Sequence, residues 1–148
     1  MPTDAPTDDR AALPPRPARH TVLRSFAGHL DAAPDAVFAA IRQRMSDLPG
    51  VWVDVAGREI VQQGTWWYRG EYRVMAEPLD EDAEPGAAAG TRVEHEIVNV
   101  AQRPHWAGPV IGRRLLAEAP YAFHSLLSEI AAELDPETET EDETDPVD

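Results

Sequence analysis

Cysteine and lysine are absent from this sequence of 148 residues, and so is any long apolar run. Without cysteine the chain has neither disulfides nor thiolate metal ligands, which is typical of a protein kept in a reducing compartment. A membrane-spanning helix needs about 20 consecutive apolar residues, and a signal peptide needs an apolar stretch behind a basic N-terminus. The sequence shows neither feature. We therefore predict a cytoplasmic protein with no membrane span.

Positive charge is scarce as well. The 13 bases, all of them arginine, stand against 27 carboxylates and give a formal net charge of −14. Residues 135–148 carry eight carboxylates and no base, so more than half of the excess negative charge lies in this segment. Nucleic-acid binding depends on clustered positive charge that releases counterions from the phosphates. No nucleic-acid partner is predicted.

Sequence motifs for metals, nucleotides and nucleophilic hydrolysis are missing too. None of the five histidines has a His-x-x-x-His or Glu-x-x-His partner. In Glu94-His95-Glu96 a strand would send both carboxylates to the face opposite the imidazole. Gly-x-Gly-x-x-Gly, a phosphate loop and Gly-x-Ser-x-Gly do not occur, which argues against nucleotide-dependent and hydrolase chemistry. We predict no metal and no cofactor.

One domain, residues 20–134, fits between two ends that are too polar or too rich in proline to bury a core. Residues 1–19 hold five of the 14 prolines, and we expect a disordered or extended leader. Within it, Leu13-Pro14-Pro15-Arg16-Pro17 has the spacing of segments that dock in aromatic grooves, although a plain linker is the favoured interpretation. Residues 135–148 form a self-repelling acidic block, predicted to be a disordered tail for solubility or for interaction.

Hydrophobic spacing predicts an α+β order for the domain. Ala33-Pro34-Asp35 opens a helix, because proline suits the first helical position and an acidic residue suits the positive N-terminal end. The last helix is expected to be kinked or interrupted at Pro120, and Gly57 is expected to supply a positive φ in a tight hairpin. The predicted strands are residues 21–31, 51–55, 59–63, 65–77 and 91–101, and the predicted helices begin at residue 34 and near residue 109, the second ending at residue 134.

The most informative segment, residues 66–74, holds four of the ten aromatic residues and alternates with a period of two. Trp66, Tyr68 and Tyr72 share one face, which is either ordinary core or the wall of a ligand pocket. On the opposite face, a solvated network of ion pairs is favoured over a clamp for an anionic ligand. The charged residues of that face are Arg69, Glu71 and Arg73.

Polar residues interrupt the apolar face of the last predicted strand. His95 and Asn99 are in phase with Val93 and Ile97, and once buried they need a hydrogen-bond partner, a water or a ligand. They are either polar groups of a pocket or core residues whose hydrogen bonds are satisfied within the protein. In the first strand, Arg24 is in phase with apolar neighbours, where snorkelling to the strand end is favoured over binding a carboxylate inside a cavity.

Two short motifs and the order of elements resemble a known superfamily. Leu30-Asp31-Ala32-Ala33-Pro34-Asp35-Ala36-Val37-Phe38 is similar to its junction between the first strand and the first helix, and Gly90-Thr91-Arg92-Val93 to its Gly-Thr-x-Val start of a late strand. With the long terminal helix, residues 21–134 resemble a small, actinobacterial-type member of the SRPBCC superfamily, the START-like and polyketide cyclase-like group. This resemblance implies the helix-grip fold, in which a curved antiparallel β-sheet wraps around the C-terminal helix and leaves an apolar cavity. The middle section has fewer strands than that fold usually shows, so either the aromatic strand breaks at Arg69-Gly70 or the sheet is smaller.

The resemblance implies that a small hydrophobic or aromatic ligand, lipid-like or polyketide-like, binds in that cavity. One alternative is a polyketide cyclase or dehydratase, with His95 as general base and Tyr68 or Tyr72 polarising a carbonyl oxygen. A second alternative is a protein-partner module with a filled core, since fold does not determine function. Trp106, next to Gly108-Pro109, is either a lid over the cavity or simple packing of the connection. The predicted ligand-binding residues are Phe26, Trp52, Trp66, Tyr68, Tyr72, His95, Asn99, Trp106 and Phe123.

Overall fold

The computed structural model describes residues 13–78, 81–82, 84 and 90–135, so residues 1–12 of the predicted leader and the predicted tail beyond Asp135 lie outside the described residues. The order of elements is the α+β order predicted above. In chain order they are strand β1 (Thr21–Leu30), helix α1 (Pro34–Met45), strands β2 (Val51–Asp54), β3 (Glu59–Gln63), β4 (Tyr68–Glu77) and β5 (Gly90–Asn99), and helices α2 (Ala107–Ile111) and α3 (Arg113–Leu134).

These five strands form one antiparallel sheet in the order β1-β5-β4-β3-β2. Strands β2 to β5 run as a meander, and β1 pairs with β5 at the far edge. Strand β4 continues without a break through Gly70. Of the two alternatives left open by the sequence, the smaller sheet is therefore the one observed.

Side-chain alternation gives the sheet an inner face, covered by helices, and an outer face. Across β4 and β5, Tyr72 lies opposite His95 and Val74 opposite Val93, and these four side chains belong to the inner face. Helices α1 and α3 pack on that face and close the main core. The buried core residues are Leu30, Val37, Phe38, Ala40, Ile41, Met45, Ile60, Val74, Val93, Phe123 and Ile130.

Helix α1 begins where the sequence predicts. Ala33 caps it in an extended conformation, with φ −65° and ψ 142°, and Pro34 occupies the first turn, where its missing N–H group removes no helical hydrogen bond. Asp35 lies in the first turn and Arg42 and Arg44 in the last, so charges of the favourable sign stand at both ends of the helix dipole.

A β-bulge changes the phase of β1 near its beginning. The pairing with β5 shifts between Val22 and Arg24, so Leu23 packs toward the buried Ile97 while Arg24 is exposed. The Nη1 group of Arg24 donates a hydrogen bond to the Leu23 carbonyl oxygen at 2.7 Å. The bulge moves Val22, which pairs with Val98, out of phase, whereas Arg24 pairs with Ile97 and stays in phase with Phe26, as predicted. The exposed side chain of Arg24 agrees with snorkelling at the strand end and not with a carboxylate site inside a cavity.

The β2–β3 hairpin uses its turn residues differently from the prediction. Arg58, with φ 52°, and not Gly57, adopts the left-handed conformation. The Asp54 carboxylate accepts a hydrogen bond from the Gly57 amide at 3.1 Å, and its Oδ2 atom would lie 2.6 Å from a Cβ at position 57. Glycine is favoured at position 57 because the Asp54 carboxylate approaches the backbone closely. Hydrophobic patterning does not predict such a contact.

The C-terminal helical region is interrupted at Gly112 and not at Pro120. Gly112 separates α2 from α3, and α3 continues through Pro120 without a break. A Cβ at position 112 would lie 2.3 Å from the indole of Trp67. The indole thus fills the space beside Gly112. Because α3 is continuous at Pro120, the predicted interruption there is wrong.

The outer face of β4 carries the predicted ion pairs but is solvated only in part. Arg73 is exposed, and its Nε atom lies 2.9 Å from Glu59 Oε1 on β3. Arg69 is only 4% exposed, and its Nε atom lies 2.6 Å from Glu71 Oε2. Arg16 of the leader contacts Glu71 and Glu96 on the same face. Residues 13–19, expected to be part of a disordered leader, have no regular secondary structure, and residues 13–16 lie against the sheet.

Replacing a fully buried core side chain of α3 should destabilise the domain strongly. We expect Ile130→Ala, at a residue with no exposed surface, to lower the free energy of unfolding by about 2–5 kcal/mol because it leaves a cavity. Ile111→Ala removes the same atoms from a residue that is 62% exposed and should cost less than about 0.5 kcal/mol. Urea unfolding of both variants measures the difference, and equal losses would contradict the described core.

Candidate functional site

A partly open cleft of about 530 Å³ lies between the inner face of β4 and β5 and helix α3. Its wall is mostly carbon, with a few polar groups, which is the usual make-up of a small-molecule site. The residues that line it are Tyr68, Tyr72, His95, Ile97, Arg114, Leu115, Glu118, Ala119, Ala122, Phe123 and Leu126.

His95 lies at the centre of the sheet wall of this cleft, held between aromatic rings. Its imidazole stacks on Tyr72 with ring centroids 4.0 Å apart and an interplanar angle of 13°. Phe123 of α3 and Phe26 of β1 lie farther away, with centroids 5.9 Å and 6.0 Å from the imidazole. Because β5 pairs with a strand on each side, the backbone that carries this side chain is fixed by two ladders.

The hydrogen bond of His95 identifies its tautomer. Nδ1 lies 2.9 Å from the backbone carbonyl oxygen of Glu71. A carbonyl oxygen only accepts, so Nδ1 carries the proton and donates it, and Nε2 of the neutral ring keeps its lone pair. Burial lowers the pKa of His95 below its ordinary value of 6.5, outweighing the hydrogen bond to Glu71 and the nearby carboxylates, which raise the pKa. The ring is therefore neutral at pH 7.

The Nε2 atom of His95 is accessible from the cleft. It makes no hydrogen bond to any described residue, and no buried side-chain nitrogen or oxygen in the described ranges lacks a partner. Nε2 is thus not sealed inside the protein, and His95 is one of the residues that line the cleft. The site offers a ligand one imidazole acceptor.

Two tyrosine rings complete the polar part of the wall. Burial raises the pKa of Tyr68, and burial together with the neighbouring Tyr68 raises the pKa of Tyr72. Both hydroxyls therefore remain protonated at neutral pH and are able to donate hydrogen bonds. Gly70 makes this arrangement possible, because a Cβ at that position would lie 2.6 Å from the Tyr68 hydroxyl oxygen.

Helix α3 supplies the opposite wall and the rim. Leu115, Ala119, Ala122 and Leu126 recur at spacings of four, three and four residues, which places them on one helical face. This periodicity was present in the sequence, although the prediction assigned only Phe123 of α3 to the site. The rest of the rim is an exposed ion pair in which Arg114 Nε lies 3.2 Å from Glu118 Oε1.

Part of the predicted site is brought together and part is not. Tyr68, Tyr72, His95 and Phe123 line the cleft. Phe26 lies behind them, stacked on Phe123 with ring centroids 5.4 Å apart, and supports the wall without lining it.

The three predicted tryptophans lie away from the cleft lining. Trp52 pairs with Val61 on the outer face of the edge strand β2 and is 39% exposed. Trp66 precedes β4, so strand alternation does not extend to it, and it is also 39% exposed. Trp106 is 70% exposed beside α2, and its placement gives no support to a lid.

Asn99 is a satisfied structural residue. It is 1% exposed. Its Nδ2 group donates to the His105 carbonyl oxygen at 2.7 Å, and its Oδ1 atom accepts from the Ala101 amide at 3.0 Å. These bonds fix the turn after β5 and leave the amide outside the cleft lining, so the core interpretation of this residue is the correct one.

Within the described ranges, no group of three or more histidine or carboxylate side chains is placed to hold a metal ion. None of the described helices combines the length and apolar character needed to cross a membrane. Comparison of the chain with protein-family models, curated proteins and solved structures finds no match.

We expect the buried imidazole to impose a pH dependence on stability. The folded pKa of His95 is lowered, so below about pH 6.5 the unfolded chain binds more protons and the free energy of unfolding falls until the pH passes the folded pKa. His95→Gln should remove this part of the dependence. Urea unfolding from pH 7.5 to pH 4.5 measures it, and ¹⁵N NMR of the ring should find the proton on Nδ1.

His29 provides a control of opposite sign. Hydrogen bonds to Asp31 and Glu77 raise its pKa, so its contribution is fully present below about pH 6.5 and is lost as the pH rises through the raised pKa. His29→Gln should remove that loss while leaving the acid-side loss intact. An unchanged pH profile in His95→Gln would contradict the neutral, buried imidazole.

Proposed function

We propose that this protein binds a small hydrophobic or aromatic ligand in the cleft between β4, β5 and α3, and that its domain is a helix-grip fold of the SRPBCC type. The observation that carries the proposal is the cleft itself. Its volume of about 530 Å³ lies within the range of roughly 300–1,000 Å³ typical of small-molecule sites. A partner module with a filled core is less well supported, because such a module needs no cleft of this size.

The chemistry of the wall favours a ligand with a flat apolar body. Tyr72, His95 and Phe123 present aromatic rings, and aliphatic side chains of α3 face them across the cleft. Rings gain from stacking and edge contacts with a second aromatic system. Binding such a ligand removes apolar surface on both partners from water.

The polar groups favour one hydroxyl or carbonyl group on the ligand. A ligand hydroxyl donates to His95 Nε2 and accepts from the hydroxyl of Tyr68 or Tyr72, whereas a carbonyl oxygen accepts from the tyrosines alone. Leaving a buried polar group unpaired costs free energy, so these groups select against a wholly apolar ligand. The proposed ligand is therefore aromatic, with a single oxygen function at one edge.

Filling the cleft from the helix side should weaken binding. Ala122→Phe places a ring in the cleft at an exposed position of α3, and we expect it to weaken the binding of 2-naphthol at least tenfold, a loss of about 1.4 kcal/mol. Ala131→Phe makes the same change at an exposed position of α3 outside the cleft and should stay within about twofold of the parent. Fluorescence titration measures both affinities, and equal binding by the two variants would refute the site.

A second candidate function is acid–base catalysis in the same cleft, of the cyclase or dehydratase type. The observation that favours it is the tautomer of His95, whose Nε2 lone pair faces the cleft beside two protonated tyrosines. In such a reaction Nε2 removes a proton from the carbon next to a carbonyl group. Tyr68 or Tyr72 donates a hydrogen bond to the enolate oxygen that forms.

Exchange of hydrogen for deuterium next to a carbonyl group tests this chemistry directly. With 2-tetralone in D₂O, the protein should accelerate α-proton exchange, and His95→Gln should slow that exchange by about 100-fold, the lower end of a general base contribution. The affinity of the variant for 2-naphthol serves as the control for an intact cleft. Exchange at the buffer rate in the unmodified protein would leave binding as the function.

A further inference from the structure

Two glutamates stand directly opposite each other on the outer face of the sheet. Glu71 of β4 and Glu96 of β5 are paired in register, and like charges at such positions repel. Arg69 offsets part of this charge through its contact with Glu71 at 2.6 Å. Negative charge remains on the two glutamates, and a second cation would offset it.

Arg16 of the leader is that cation. Its Nε and Nη2 atoms donate to the two carboxylate oxygens of Glu71 at 2.8 Å and 2.5 Å, and Nη2 also donates to Glu96 Oε2 at 2.6 Å. Burial by itself raises the pKa of Glu71, but the hydrogen bonds from Arg16 and Arg69 outweigh burial and leave the pKa below its ordinary value. One guanidinium thus bridges both strands in the fork geometry that favours arginine over lysine.

The segment around Arg16 lies on the surface of the sheet, as a bound peptide would. Leu13-Pro14-Pro15-Arg16-Pro17 lies without helix or strand on the face of the sheet opposite the cleft. Proline-rich segments of this kind are pre-ordered in an extended form, so they lose little entropy when they bind. A space of about 400 Å³ is lined by both the segment and the sheet, including the buried Val61 and Arg69. The segment therefore fills the groove only in part.

The attachment of this segment is suited to exchange. Side-chain hydrogen bonds from residues 13–17 to the sheet come from Arg16 alone, whose side chain is 31% exposed, so a single side chain has to be released for this segment to leave. A separate contact, from Gln102 Nε2 to the Arg19 carbonyl oxygen at 3.0 Å, fixes the chain before β1. Residues 13–17 are able to leave the groove without disturbing any strand.

We propose that this groove is a docking site for a proline-rich segment of a partner protein that carries an arginine between prolines, and that residues 13–17 occupy it in cis until such a segment displaces them. Charge favours a partner of this composition over a second copy of this chain. The net charge of −14 opposes the approach of another copy, whereas the arginine of a partner segment is attracted to Glu71 and Glu96. The groove lies on the face of the sheet opposite the cleft. The docking proposal therefore does not depend on whether the cleft binds the proposed ligand.

The test uses the full chain and a fluorescein-labelled peptide, Ala-Leu-Pro-Pro-Arg-Pro-Ala. Arg16→Ala frees the groove, so it should bind the peptide about tenfold more tightly than the unmodified protein, whose groove is available only part of the time. Arg16→Lys keeps the charge but loses the fork and should show a smaller gain. Replacing arginine by alanine in the peptide, or adding Glu96→Gln to Arg16→Ala, should weaken binding at least tenfold. Fluorescence anisotropy measures each affinity.

Arg42→Ala is the matched control, because it removes an exposed arginine of α1 away from the groove. It should bind the peptide as the unmodified protein does. No gain in Arg16→Ala, or equal binding of the peptide that lacks arginine, would overturn the proposal. Sedimentation of the unmodified protein as a dimer that Arg16→Ala converts to monomers would also overturn it, since the occupant would then be a second copy of this chain.

Discussion

The pairing of Tyr72 with His95 across β4 and β5 determines what each face of the sheet carries. With this register, the rings of Tyr68, Tyr72 and His95 face α3, while Glu71 and Glu96 face the leader. A shift of one residue in either strand would exchange the two sets, because strand side chains alternate with a period of two. The burial of Val74 and Val93 beneath α1 and α3 holds this register, since a slipped strand would expose them.

Close contacts between aromatic rings and glycine shape the inner face. Tyr68 lies over Gly70, and Trp67 fills the space beside Gly112 at the junction of α2 and α3. A methyl group on Gly70 would overlap the Tyr68 hydroxyl, and one on Gly112 would overlap the Trp67 indole. The cleft and the helical junction therefore depend on the same two consecutive aromatics, which meet edge to face with their centroids 5.5 Å apart. Their position, just before and at the beginning of β4, links the end of the sheet to the helix that covers it.

Local sequence signals predicted the parts of the fold and cleft that depend on local chemistry. Pro34 marked the start of α1, and alternation placed His95 on the inner face of β5, because each signal is confined to a few neighbouring residues. The signals for Trp66 and Asn99 were misleading because alternation shows neither where a strand begins nor which group satisfies a buried amide. Trp66 stands outside β4, where the strand begins only at Tyr68, and the His105 carbonyl oxygen satisfies Asn99. The docking of Arg16 joins residues 55 and 80 positions apart, which no local pattern encodes.

Glu71 makes contacts that serve both faces of the sheet. Its carboxylate binds Arg16, while its backbone carbonyl oxygen accepts a hydrogen bond from Nδ1–H of His95. One peptide unit thus joins an ion pair on the outside to the orientation of the imidazole in the cleft. Any free energy that couples the two sites is reciprocal: a ligand that tightens the imidazole contact would change the hold on the leader by the same factor as the leader changes the ligand's affinity.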